Sequence, residues 1–308
     1  MPELPEVETV ARELGRKLKG RKIVSVEVLA PKMISIGPAT LPPARAANPA
    51  AVAQFKEIAV GQKFISVRRR AKLLIFDLSG PWTMLAHLKM TGQFIFEDAR
   101  LRKMTGGKYR LLNKAAAPKL QLPARHTHVV FRFSDKSALY FNDVRKFGYL
   151  KLVHDNELGQ VREFSEYGPE PLDKKFTLQV FVDRVSARPK AKIKQVLMDN
   201  RVVVGIGNIY SDEILFHAGV RPAREVAKLS AQQLAKIYKH IRPILEKAIQ
   251  AKGSSVGDFV RTDGSWGRMG KFHYVYGRKG QKCKKCGSII QAIKLGGRTG
   301  SFCPQCQA

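Results

Sequence analysis

The chain has 308 residues, more than a typical single domain, so two or three domains with buried cores are expected. A hydrophobic content of 44% excludes a disordered basic tail, and 55 Lys and Arg against 25 Asp and Glu, a formal charge of +30, favour a polyanionic partner, because each neutralised phosphate releases condensed counterion. No apolar run approaches the roughly 18 residues of a membrane span, and the N-terminus is acidic where a signal peptide is basic, so a soluble intracellular protein is expected, with nucleic acid its leading partner.

The opening, MPELPEVETV, sets Glu3, Glu6 and Glu8 beside the amino terminus of a strongly basic chain. Val7, Val10, Ala11, Leu14 and Leu18 follow at helical spacing, with Pro5 early, Lys17 and Lys19 late and Gly20 as terminator. This pattern predicts an amphipathic helix over residues 5–19. The runs KIVSVEVL, QKFISVRRRAKLLIFDL, TMLAHLKMTGQFIF, HTHVVFRFSD, SALYFNDV and FGYLKLV are alternating or β-branched and bounded by turn residues, which reads as an antiparallel sheet or sandwich. The Pro/Ala-rich IGPATLPPARAANPA reads as a loop, as do residues 99–125, which carry eight basic residues and no acidic one. Two X-Pro steps make YGPEPLDKKF a linker. Beyond it, LQVFVDRV, AKIKQVLMDN, NIYSDEILFHAG and SAQQLAKIYKHIRPILEKAIQAKG predict a domain of four or five helices.

The stretch VVVGIGNIYSDEILF lacks the third glycine of a dinucleotide fingerprint, Tyr210 standing in its place, and no βαβ unit surrounds it. It reads instead as a Gly205/Gly207 turn between two helices. Asn208 then lies at a helix N-terminus, as a phosphate-binding amide or as a simple N-cap. All four cysteines fall in the last 26 residues, as Cys283-x2-Cys286 and Cys303-x2-Cys306 with sixteen residues between the pairs. That spacing suits one tetrahedral zinc ion, and four protein ligands leave no open coordination site, so the metal is structural. The intervening IIQAIKLGGRTGSF reads as a hairpin turning at Gly-Gly, with Arg298 at its tip as a phosphate or groove contact.

Taken together, MPELPEVET, RRAK at 69–72, HLKMTG at 87–92, DVRKFG at 143–148, LMDNRVVVGIGNIYSDEILFHAGVRP, VYGRKG at 275–280 and the terminal cysteine cluster resemble formamidopyrimidine-DNA glycosylase, nearly end to end. The resemblance implies an α+β multidomain fold. An N-terminal antiparallel β-sandwich with a leading helix is expected over residues 1–160, a helix-two-turn-helix domain ending in a lesion-capping loop over 161–268, and a zinc-finger β-hairpin over 269–308, with DNA crossing a cleft between the halves. It further implies a monomer that binds duplex DNA containing oxidised bases or abasic sites, excises 8-oxoguanine and formamidopyrimidines, and nicks the strand by β,δ-elimination in the bacterial cytoplasm.

The opening residues then acquire a chemical role. With Met1 removed, Pro2 becomes a secondary amine, and an α-amino group of pKa about 8 is roughly one-tenth neutral at pH 7, whereas an ordinary lysine is almost wholly protonated. Its attack on the sugar C1′ expels the base and leaves an iminium, the electron sink for elimination. By resemblance Glu3 is the acid/base partner, Glu6 organises the site, and Lys72, Asn208 and Arg298 grip the backbone around the extruded nucleotide. Met90 and Phe147 fill the vacated space, Arg145 bonds the estranged cytosine, and His126 contacts DNA. The stretch DFVRTDGSWGRMGKFHYVYG corresponds to the loop that closes over the flipped base. Thr127 stands where the family pattern suggests Asp. The alternatives are an endonuclease VIII-like enzyme acting on oxidised pyrimidines, disfavoured by LPE at residues 4–6, and a catalytically silent damage-binding relative.

Overall fold

A computed structural model describes residues 1–39, 46–99 and 122–308. The middle of the Pro/Ala-rich stretch and nearly all of the basic 99–125 segment therefore lie outside the described residues. The chain divides into two compact units: Met1–Pro2 with Glu6–Ser165 and Gly257–Gly267, and Glu3–Pro5 with Glu166–Val256 and Arg268–Ala308.

In the first unit, helix α1 (Leu4–Leu18) buries Val7, Val10, Ala11, Leu14 and Leu18, the apolar stripe read from the sequence. Among the described residues, nine strands form two sheets. One has the order β1 (Ile23–Val28), β7 (Thr127–Phe133), β8 (Ala138–Asp143), β6 (Gly92–Glu97). The other has the order β2 (Ile34–Ile36), β9 (Tyr149–His154), β5 (Trp82–His87), β4 (Leu73–Leu78), β3 (Phe64–Arg70). All neighbours are antiparallel except β2 and β9, which run parallel. Phe64, Phe76, Phe94, Phe131 and Phe141 fill one core with the α1 stripe.

Three features depart from the sequence reading. The run QKFISVRRRAKLLIFDL is two strands, because Ala71 adopts a left-handed φ of 54° and Arg70 pairs with Leu73 across a two-residue turn. Lys72 therefore sits in a hairpin turn and not at an alternating strand position. TMLAHLKMTGQFIF is likewise two strands, broken at residues 88–91. Finally, Pro49–Ala59 forms helix α2, capped by the Asn48 side chain accepting from Ala51 N at 3.0 Å, so the Pro/Ala-rich stretch ends in a helix start.

The second unit carries α4 (Leu178–Ser186), α5 (Ile193–Leu197), α6 (Asn208–Ala218) and α7 (Ala231–Gln250), the short α3 (Arg162–Ser165) belonging to the first. Helix α7 starts on a full capping box, Ser230 with Gln233. Helix α6 ends on Gly219, whose φ of 73° is the left-handed cap. Strands β10 (Gln291–Leu295) and β11 (Arg298–Phe302) form the hairpin, and Gly296 and Gly297 both take positive φ, as its two-residue turn requires.

Candidate active site

In the first unit, two turns carry the residues expected to fill the DNA. Met90 is half-buried in the turn between β5 and β6, and Arg145 and Phe147 are exposed in the turn between β8 and β9, with the guanidinium 4.6 Å above the Phe147 ring. One buried carboxylate organises both turns. Asp143 accepts from the Thr91 hydroxyl in a short hydrogen bond, from Arg145 N at 3.1 Å and from Gly148 N at 2.7 Å, while Thr91 Oγ1 also accepts from Arg145 N at 3.0 Å. A Cβ on Gly148 would stand 2.8 Å from the Phe141 ring, so the turn needs glycine there. Asp143 and Thr91 went unassigned at the sequence level although both lie in quoted motifs. The signal in the chain was an acid closing the apolar run SALYFND.

Lys72 is only 8% exposed at the β3–β4 turn. Pro2 and Glu6 are buried. His126 lies half-buried before β7, its carbonyl accepting from Asp143 N at 2.9 Å. The unexpected Thr127 is structural: buried, it accepts from Ala124 N at 2.8 Å and donates to Asn142 Oδ1 at 2.6 Å.

In the second unit, the glycine-rich turn and the start of the chain explain one another. Glu3, 2% exposed, accepts from Gly207 N and Ile209 N, each at 2.8 Å, and from Tyr210 N at 3.3 Å. The carboxylate thus occupies the N-terminus of α6, where free amides and the helix dipole favour an anion. A side chain on Gly207 would overlap the Glu3 carboxyl, and one on Gly205, already at φ 82°, would lie 2.6 Å from Leu4 Cβ. Leu4 N donates to Gly205 O at 3.0 Å.

Asn208 is the first residue of α6 and makes no capping bond, Gly207 being the N-cap. Its side chain bonds the phenol of Tyr276, and its Oδ1 is buried without a hydrogen-bond partner among the described residues. Leaving such an acceptor unpaired costs roughly 1–3 kcal/mol unless a donor reaches it. Burial, and after it the Glu3 carboxylate, raise the Tyr276 phenol above its ordinary pKa. Tyr276 lies in the VYGRKG motif and was not singled out from the sequence.

The exposed Arg298 opens β11, which is tied to α6 from below. Asp212 accepts from Ser301 N at 2.9 Å and from Lys194 Nζ at 2.6 Å, and that ammonium also donates to Ser211 Oγ at 3.1 Å and to Asn208 O at 3.2 Å. Both charges are fully buried. Burial lowers the Lys194 pKa and raises that of Asp212 to about 7, with their mutual attraction opposing both shifts. Next to it, Glu213 accepts from the backbone of Tyr274, Val275 and Tyr276 at 2.9 to 3.1 Å. One turn of α6 therefore holds both the hairpin and the segment bearing Tyr276.

The four cysteine sulfurs lie within 4.8 Å of one another, with Cys283 and Cys306 3.9 Å apart and Cys286 and Cys303 3.4 Å apart. Tetrahedral Zn–S bonds of about 2.3 Å require sulfur separations of about 3.8 Å. Amides of Lys285 and Cys306 also point at Cys283 and Cys303 Sγ, each at 3.4 Å, as thiolate ligands favour. The residues fit one structural zinc.

Three family models match in chain order: the formamidopyrimidine-DNA glycosylase N-terminal domain over residues 1–150, the H2TH domain of that glycosylase over 167–260, and the zinc finger found in FPG and IleRS over 280–308. Formamidopyrimidine-DNA glycosylases of Pelotomaculum thermopropionicum and Listeria monocytogenes are each 38% identical to the chain over its whole length, with 99% and 100% of their own lengths covered. The chain belongs to the formamidopyrimidine-DNA glycosylase family. Among solved structures, a Lactococcus lactis FPG variant complexed with Fapy-dG containing DNA is 32% identical with a TM-score of 0.81, each chain covered to 99%. MutM in complex with carbocyclic 8-oxo-G containing DNA is 33% identical with a TM-score of 0.80, again with 99% of each chain covered. As in other members of the family, a β domain, an H2TH domain and a four-cysteine finger follow in order. No helix among the described residues is long and apolar enough to cross a membrane.

Proposed function

We propose that the protein is a bifunctional DNA glycosylase and abasic-site lyase that removes oxidised purines from duplex DNA through a Schiff base on Pro2. The observation that carries this reading is the seat of Glu3: three amides at the start of α6 bind the carboxylate that directly follows Pro2, on the helix that begins with Asn208. The residue next to the nucleophile is thereby fixed to a phosphate-binding helix terminus. Relatives have been solved with Fapy-dG, abasic-site and carbocyclic 8-oxo-G DNA.

In this reading the released Pro2 amine attacks C1′ and the N-glycosidic bonding pair departs with the base, which takes up a proton; the amine then gives up its own proton, its lone pair breaks C1′–O4′ with O4′ protonated, and the ring-opened iminium acidifies the adjacent sugar carbon for elimination. Glu3, held by amides, is the group that exchanges protons at the sugar, and Glu6 steadies the first helical turn. Lys72, Asn208 and Arg298 bind phosphates, and His126 adds a DNA contact. Met90, Phe147 and Arg145 occupy the space left by the extruded nucleotide. Residues 258–277 form the loop that covers the extruded base, and its first part lies in the segment 257–267. Zinc holds the hairpin and takes no part in the chemistry.

Borohydride trapping on 8-oxoguanine:C duplex tests the reading: the mature protein becomes covalently linked to DNA, and Pro2→Gly or retention of Met1 abolishes the link. Binding without any trap would leave a damage-binding relative. A Lactococcus lactis relative has also been solved with oxidised-pyrimidine DNA, which gives the pyrimidine reading one support. Faster excision from thymine-glycol duplex than from 8-oxoguanine:C would decide for it.

A further inference from the structure

Helix α1 carries a second buried glutamate, beyond those of the opening motif, that the chemistry above does not use. Glu13 is 4% exposed and its carboxylate is saturated. Oε1 receives Arg261 Nε and Nη2, each at 2.7 Å; Oε2 receives the Thr262 hydroxyl at 2.8 Å and Thr262 N at 3.2 Å. Thr262, with no exposed surface, is used completely. Its hydroxyl also accepts from Lys17 Nζ at 2.8 Å, and its carbonyl accepts from Phe96 N on β6 at 2.9 Å.

These bonds fasten the segment Gly257–Gly267, which packs as part of the first unit although the chain on either side of it belongs to the second. Further contacts act along its length. Phe259 enters the core shared with α1, Val260 packs beside Ile95 and Tyr140, and Asp258 O accepts from Gln93 Nε2 at 2.6 Å. Beyond the anchor a tight turn closes from Arg261 to Ser265, whose amide and hydroxyl are both bound by Asp263, and Trp266 emerges 49% exposed. The anchor is demanding on the Glu13 side, because removing Arg261 leaves a buried carboxylate without its cation, whereas Arg261, 26% exposed, retains Asp263 at 3.8 Å and the Ser265 hydroxyl at 2.9 Å.

We propose that Glu13 is a positioning residue: by gripping Arg261 and Thr262 it holds the base-covering segment 257–267 in fixed register with α1, the helix that begins two residues after Pro2. This rests on the reading of 257–267 given under the proposed function. The segment is thus anchored before DNA arrives, and the anchor sets where its exposed turn meets the base. Removal of an intact base depends on that placement, whereas cleavage at an abasic site, with no base to cover, does not.

The test uses the mature full-length protein with Glu13→Gln, which keeps the side-chain shape but turns an N–H toward Arg261, and with Arg261→Met as an independent second variant. Three readouts are compared: amide hydrogen exchange of 257–267, single-turnover excision of 8-oxoguanine, and cleavage of a preformed abasic duplex. The expected result is faster exchange in the segment and excision slowed on the order of tenfold, as small misplacement produces, with abasic cleavage unchanged. Unaltered exchange, unaltered excision, or an equal loss in both reactions in either variant overturns the inference. A wild-type protein that processes neither DNA removes the proposed function instead, and exchange then still reports on the anchor alone.

Discussion

A methyl group on Gly207 would occupy the space of the Glu3 carboxyl. Gly207→Ala therefore has to expel Glu3 from the start of α6, undoing three hydrogen bonds to a charged acceptor, each worth about 1.5–3 kcal/mol. The expected outcome is a borohydride trap reduced by at least about tenfold, with duplex binding retained; a trap at wild-type level would show that the seat of Glu3 is irrelevant to the chemistry. His273 supplies a test of stability. It is 2% exposed against Ser254 Oγ at 3.2 Å, and burial, then the Lys284 charge, push its imidazole from 6.5 down to about 4. The unfolded chain therefore takes up this proton first. The stability linked to His273 is complete above pH 6.5 and is lost as pH falls toward about 4, a change of about 3 kcal/mol. Urea midpoints measured across that range should fall in the wild type and fall less in His273→Gln.

At the scale of elements, α6 is the hub of the second unit. Its first turns present Glu3-binding amides and Asn208, Asp212 binds the hairpin strand β11, and Glu213 binds three consecutive amides beside Tyr276. The helix is almost wholly buried, so its sequence shows no polar face, and the acids that ordinarily mark a solvent side mark buried junctions instead. Lys194→Met removes the attraction that opposes burial at Asp212, whose carboxyl then takes up a proton near neutral pH and loses its partner, an expected cost of up to about 3–5 kcal/mol in denaturant unfolding. Replacing both partners by apolar residues should recover part of that loss, with Ser301 N remaining unsatisfied. If the single variant is as stable as the wild type, the pair contributes nothing to holding the hairpin.

At the scale of the whole molecule, a formal charge of +30 makes salt the natural probe of binding. Affinity for lesion duplex should fall linearly in log–log form with salt, and Arg298→Ala should reduce the slope by about 0.9, the counterion equivalent of one phosphate contact. An unchanged slope would place Arg298 off the backbone. Zinc removal should act through the same hairpin: chelation, or Cys283→Ser, unclamps the end of β10 and β11 opposite the Gly296-Gly297 turn and should lower DNA affinity more than Arg298→Ala does, measured by titration with fluorescent duplex.

Much of this architecture could be read from the chain alone, because its signals are local. The α1 stripe, the Cys-x2-Cys pairs and the Gly-Gly hairpin turn each lie within a few residues, where period and spacing speak directly. Helix α2 and the break at Ala71 were missed, since Ala71 takes a left-handed turn without the usual glycine or asparagine, and β4 buries side chains on both faces and so shows no alternation. The partners of the buried acids could not be read at all. Glu3 meets Gly207 across 204 positions and Glu13 meets Thr262 across 249, and nothing in either neighbourhood names the other. Sequence determined which residues carry charge and which stripes seek burial; only the folded chain decided which carboxylate closes on which amide, because burying a charge is tolerable solely where distant donors converge to satisfy it.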